Sequence, residues 1–200
     1  MDQIYDLLTS RVNRSSPQAD DGPQEPSEGT ATGSGGQRTP LVPIPLASVD
    51  AVSGLADILA REGTRTIANL ADDLGLEVDD LLPQVDALEQ LGFATVGAGR
   101  VRLTAIGEEF AAGSIRREKE MFARAALDNV PLVDTIVRTL DRAKSKRMGA
   151  GFFRDALERR YNKAYAQAQL DVAVGWGRYT ELYTFDADRD EFILDEPHNH

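Results

Sequence analysis

Between Leu46 and Leu91 apolar residues recur at helical spacing in three stretches with polar breaks between them. Val49, Val52, Leu55, Ile58 and Leu59 fall on one stripe and predict a helix ending near Glu62 and Gly63. A shorter helix follows in TIANLADDLG, with Ile67, Leu70, Ala71 and Leu74 facing one way and Gly75 as a left-handed stop. A third takes Asp79 as its cap and Leu81, Leu82, Val85, Leu88 and Leu91 as its core face. Pro83 falls in its first turns, where a missing donor is tolerated. FATVGAGRVRLT then offers two short runs about Gly97, Ala98 and Gly99, a hairpin signal. Three helices and a hairpin predict a winged-helix-like unit.

The same grammar returns downstream. Leu132, Val133, Ile136, Val137 and Leu140 supply a first helix, and Phe152, Phe153, Ala156 and Leu157 a second. NKAYAQAQLDVAVGWG is the third, expected to end at Gly177 as its counterpart ends at Gly92, and TELYTFDADRDEFILD gives a second hairpin. Each unit is expected to bury a core of its own. Between them, IGEEFAAGSIRREKEMFARAAL reads as two helical segments broken near Gly113. Its Ile106, Phe110, Ile115, Phe122 and Leu127 predict an apolar seam joining the units. Upstream, DQIYDLLTSR sets Ile4, Leu7 and Leu8 on one helical face, and the chain from Val12 to Pro45 has the Pro, Gly, Ser, Thr and Gln content of a flexible linker. The expected organisation is a short helix at 1–11, a disordered linker at 12–45, a first winged-helix-like unit at 46–113, and a connecting helix with a second unit at 114–200. The fold class is mainly α with small β-hairpins, an α+β arrangement of two tandem winged-helix-like units.

Composition narrows the chemistry. The chain has no cysteine, and its two histidines both lie in the last three residues, so thiolate nucleophiles, disulfides and an internal imidazole base are excluded. GTATGSGG lacks the GK[ST] ending of a phosphate loop, and neither an LSGGQ-like signature nor an apolar strand ending in DE is present. We expect no catalytic residues, no metal and no cofactor, and no enzyme activity from these residues. With no run of about 18 apolar residues and no basic segment leading into an apolar one, direct membrane insertion is not expected and the cytoplasm is.

The net charge of −11 is unevenly placed. Residues 46–113 sum to −8, and the third helix carries Asp79, Asp80, Asp86 and Glu89 with no base, which suits a face selective for basic partners and not a DNA-reading helix. Residues 138–163 sum to +6, with Arg138, Arg142, Lys144, Lys146, Arg147, Arg154, Arg159, Arg160 and Lys163. That cluster could contact phosphates, an acidic partner, or the acidic first unit of the same chain. Trp176, Arg178 and Tyr179 join aromatics and a cation at a helix-to-strand junction, either as packed core with the guanidinium on a ring or as a contact for a small effector or partner. Asp186, Asp188 and Asp190 have the spacing of the first ligands of a calcium loop, but Glu191 and Pro197 stand where that loop needs Gly and Glu, so a hairpin turn is expected. The terminal PHNH reads as an exposed tail.

With these residues in view, the chain resembles the AAA-associated C-terminal domain, found behind the ATPase subunit of nitrate, sulfonate and taurine-type ABC importers. The resemblance runs through PLASVDAVSGLADILA, LADDLGLEVDDLLPQVDALEQLGFATV, VPLVDTIVRTL and QLDVAVGWGRYTELYTF, about residues 45–195, and DQIYDLLTSR resembles the end of such an ATPase. It implies a non-catalytic regulatory or interaction domain whose partners are the ATPase and permease subunits, or a second copy of itself, at the inner face of the cell membrane. A winged-helix DNA-binding regulator is the alternative. The candidate partner or effector contacts are Asp79, Asp80, Asp86, Arg142, Lys146, Arg147, Trp176, Arg178 and Tyr179, whereas the DNA-binding alternative would use the basic segment 138–163 and the second hairpin.

Overall fold

Helix α1 (Val49–Glu62) begins where Ser48 Oγ accepts the Ala51 amide at 3.2 Å, satisfying one of the donors that a helix start leaves open. The structure, a computed structural model, describes residues 42–195. The helix expected at 1–11, all of the linker before residue 42, and the PHNH tail lie outside the described residues. Strand β1 (Arg65–Thr66) leads into α2 (Ile67–Leu74), which Thr66 caps and Gly75 stops at a positive φ of 65°. Helix α3 (Val78–Gln90) starts earlier than Asp79 would dictate. Glu77 holds the cap position without a side-chain bond, while Asp79 and Asp80 sit in the first turn, where the helix dipole favours carboxylates. Strands β2 (Ala94–Gly97) and β3 (Arg100–Leu103) form the hairpin, and β1 adds to the other edge of β3 in an antiparallel sheet ordered β1-β3-β2.

Two helices, α4 (Ala105–Ala111) and α5 (Ile115–Asn129), carry the chain onward. Then the order repeats: α6 (Pro131–Arg142), β4 (Arg147–Gly149), α7 (Ala150–Glu158), α8 (Lys163–Thr180), β5 (Tyr183–Asp186) and β6 (Glu191–Leu194), with a second antiparallel sheet ordered β4-β6-β5. The fold is mainly helical with two small three-stranded sheets, an α+β architecture. Helix α8 does not stop at Gly177. It continues to Thr180 and ends on Glu181 in the left-handed conformation. In the DADRD turn, Asp186 Oδ1 accepts the amides of Asp188 and Arg189 and so holds the hairpin turn, while Asp190 pairs outward with Arg154 of α7.

The expectation of two separate cores is corrected by the packing, which forms one continuous buried cluster from Ile44 to Phe192. Its spine is aromatic. Phe93 stacks on Phe110 with centroids 4.3 Å apart, and Phe122 of α5 meets the edges of both Phe93 and Trp176, the latter at 5.0 Å. Phe110 and Phe122 thus supply the seam, helped by Met121, Ala125 and Ala126, with Leu127 half-buried beside them. Ile106 and Ile115 do not contribute. Ile115 is 73% exposed at the first position of α5, and Ile106 lies on the outer side of α4. Phe152 and Ala156 likewise face outward on α7, whose inward residues are Ala150, Phe153 and Leu157. Ordered packing also begins before residue 46: Ile44, inside the segment expected to be linker, is fully buried.

Candidate functional site

The region where α1, α5 and α8 meet is built from a short strap of residues, 44–47, lying along α8. Gln169 is the reason the strap stays there. Its Oε1 accepts the Ile44 amide at 2.6 Å and its Nε2 donates to the Ile44 carbonyl at 2.7 Å, so one buried side chain satisfies both polar groups of one buried residue. Two turns along the same face, Trp176 Nε1 donates to the Ala47 carbonyl at 2.9 Å. Behind them Tyr183 donates its hydroxyl to the Ala173 carbonyl at 2.8 Å, and its ring lies so close to Gly177 that a Cβ there would fall 2.1 Å from ring carbon. Burial pushes the Tyr183 phenol far above its ordinary value, so it stays a neutral donor. Gly177 is required for close approach, not for ending a helix.

Above the strap, Tyr179 is half-buried at the mouth of an open cleft of about 430 Å³ whose rim includes Leu46, Asp50, Asp171 and Val172. Three charged or polar groups converge on this ring from two helices, α1 and α5. The Lys119 ammonium stands 5.9 Å from its centroid and also bonds Glu181 at 2.6 Å, while the hydroxyl faces Glu118 and Ser53. Ser53 Oγ is buried without a fully formed hydrogen bond, and the Tyr179 hydroxyl is the polar group placed to supply one. Desolvation, and then the nearby charge of Asp57, raise the Glu118 carboxyl above its ordinary value. Burial and the Glu118 charge raise the Tyr179 phenol. The junction therefore contains carboxylates from α1 and α5 that repel one another, held against an aromatic ring.

The residues singled out from the sequence are dispersed over three regions. Trp176 is 1% exposed, so it packs the junction and does not offer a face to a partner. Tyr179 is at its surface, and the cation beside its ring is Lys119, not Arg178, which is exposed in the last turn of α8. Asp79 and Asp80 are exposed at the start of α3, with Asp86 half-buried further along. Glu89, exposed on α3, accepts the Val96 amide at 3.3 Å and ties α3 to the first hairpin. Arg142 ends α6 and is exposed; Lys146 pairs with Asp141 at 2.7 Å, and Arg147 with Glu191 at 3.7 Å. Asp141 is held below the ordinary carboxylate value by the bond to Lys146. The expected attraction between the acidic half and the basic segment is not used within the chain: among the described residues no ion pair joins 46–113 to 138–163. The halves are held instead by the aromatic spine and the Gln169 and Trp176 bonds. Sequence reasoning passed over Gln169, whose signal was its place on the same face of α8 as Ala166, Ala173 and Trp176.

Among the described residues no cluster of three or more carboxylates or histidines has metal-binding geometry, and no helix is long and apolar enough to cross a membrane. The profile of the C-terminal AAA-associated domain matches residues 68–186, from within α2 to the end of β5. The chain belongs to this family. Within this AAA-associated domain, the matched span contains the aromatic spine, Gln169, Trp176 and Tyr179, whereas the strap and α1 precede it. No curated protein and no solved structure matches the chain.

Proposed function

We infer that this AAA-associated domain is a non-catalytic regulatory or interaction module of an ABC importer ATPase of the nitrate and sulfonate type, working at the inner face of the membrane with the ATPase and permease subunits. Family membership carries the reading. Each half has the order helix, short strand, helix, helix, hairpin, which supports a tandem winged-helix architecture serving as a docking scaffold. The junction supplies a means of regulation. A partner or effector that binds one arrangement of strap, α5 and α8 better than another shifts the balance between them by its differential affinity, and can bias an attached ATPase in the same way. The test is a pull-down of cognate ATPase and permease with this chain, followed by ATP turnover of the ATPase with and without the domain. Capture of either subunit and altered turnover are expected; capture of neither removes the reading.

One observation favours a second reading, a DNA-binding regulator. Arg142, Lys144, Arg159, Arg160 and Lys163 are exposed and form no ion pair among the described residues. Phosphate contacts from five such bases would give an affinity that falls steeply with salt, so a gel-shift series starting at low salt decides the matter. The absence of a retained complex at the lowest salt eliminates this alternative.

A further inference from the structure

A groove of about 370 Å³ runs between α1 and the turn joining α2 to α3. Ala51 and Gly54 form its floor and Ile58, Leu74 and Leu76 its walls. The floor is open, since a Cβ added at Gly54 would meet nothing within 4 Å. Leu74, Leu76 and the adjacent Val78 are large apolar side chains left exposed in water. The charged groups around them are mainly acidic: Asp57 lines the groove beside Arg61, and Glu77, Asp79 and Asp80 crowd the start of α3. On the other half the pattern is inverted. Phe152 of α7 is 55% exposed and projects from the segment 138–163, whose net charge is +6. It shares its helical face with Asp155, Ala156 and the terminal Arg159, and Arg160 and Lys163 follow directly.

We propose that the groove of one chain receives Phe152 of a second copy, with the basic end of α7 set against the acidic start of α3. An exposed apolar knob and an exposed apolar groove on one chain, in fields of opposite sign, make a self-complementary pair. Among the described residues that complementarity goes unused within one chain, because every ion pair of the basic segment is made with a carboxylate of its own half. The contact joins unlike patches, so it does not depend on an importer and can be separated into its two sides.

Sedimentation equilibrium of the full chain tests it. The wild type is expected to self-associate at about 0.01 M salt and to weaken roughly tenfold toward 1 M as the charges are screened. Phe152→Asp and Leu76→Asp should each reduce homotypic association, and mixing the two should restore a one-to-one complex, because one variant keeps the groove and the other keeps the knob. Gly54→Leu fills the groove from a position with free space and better helix propensity, so it should lose association while folding at least as well as the wild type. It stands in for Leu76→Asp if that variant unfolds. A wild type that stays monomeric at low salt and millimolar concentration overturns the proposal, even if the groove captures an added basic amphipathic peptide. So does association that survives Gly54→Leu and Phe152→Asp, or a variant mixture that fails to complement.

Discussion

Replacing Gln169 with Leu keeps the volume of the side chain but removes both of its bonds to Ile44. The Ile44 amide and carbonyl are then left buried without partners, at about 1–3 kcal/mol each. The loss has a ceiling, because the strap can peel away and let water reach those groups. Peeling forfeits the burial of the Ile44 side chain, about 1.5–3 kcal/mol, and the Trp176 bond to Ala47, about 1 kcal/mol. The expected destabilisation is therefore about 2–4 kcal/mol, read as a lower urea midpoint, with a thermal shift of about 2–4 °C per kcal/mol for a domain of this size. Gln169→Glu separates hydrogen bonding from volume. A protonated glutamic acid can still donate to the Ile44 carbonyl and accept from its amide, whereas the carboxylate cannot donate and is buried. The folded-state pKa of that glutamate should therefore be raised. Its stability should approach wild type below the ordinary glutamate value of about 4.3 and fall as pH rises through the raised folded value. Hydrogen exchange at the Ile44 amide reports strap release directly. A loss below about 0.5 kcal/mol for Gln169→Leu, with Ile44 protection unchanged, would refute the reasoning.

Three further outcomes are expected. Phe122→Ala should lower stability by about 3–5 kcal/mol in one transition, since its ring touches Phe93, Trp176 and Tyr179; calorimetry showing a loss under about 1 kcal/mol would contradict a shared core. Gly177→Ala should destabilise by about 1–3 kcal/mol even though alanine is the better helix former, and near-UV dichroism should show the Tyr183 environment disturbed; a neutral or stabilising effect would mean the ring has room to move. Glu118→Gln should stabilise at neutral pH. The folded-state pKa of Glu118 is raised, so wild-type stability is greatest below the ordinary glutamate value and declines as pH rises through the raised one; the gain from Gln should vanish in acid, and a gain persisting there would exclude ionisation as its cause.

The helices were legible because burial leaves a periodic mark. Leu81, Val85 and Leu88 on α3, and Leu132, Val133, Ile136 and Leu140 on α6, were readable as core faces from spacing alone. Strands β1 and β4 were not, since two or three residues cannot carry an alternation. Ile44 and Pro45, the start of the strap, fall in the segment that composition reads as linker, because prolines and shortness match linker composition, whereas the order of Ile44 comes from a partner more than a hundred positions away. Gly177 looked like a helix terminator because a sequence shows flexibility but not the Tyr183 ring that needs the space. Charge was the least transferable signal. Opposite net charges in two halves suggested attraction, yet each lysine and arginine that pairs in the basic segment does so with a carboxylate on its own half.

The strap also determines how the domain carries mechanical load. Residues 44–47 come just before α1 in sequence, but Gln169 and Trp176 fasten them to α8. Tension arriving from the side of residue 42 is therefore delivered to the second half before it reaches the first. The two Gln169 bonds act as a clasp in that load path, and while they hold, a tug on the incoming chain moves α8 and the aromatic spine together. Once the clasp opens and the Trp176 bond to Ala47 gives way, the same tug falls on Ser48 and the first turn of α1.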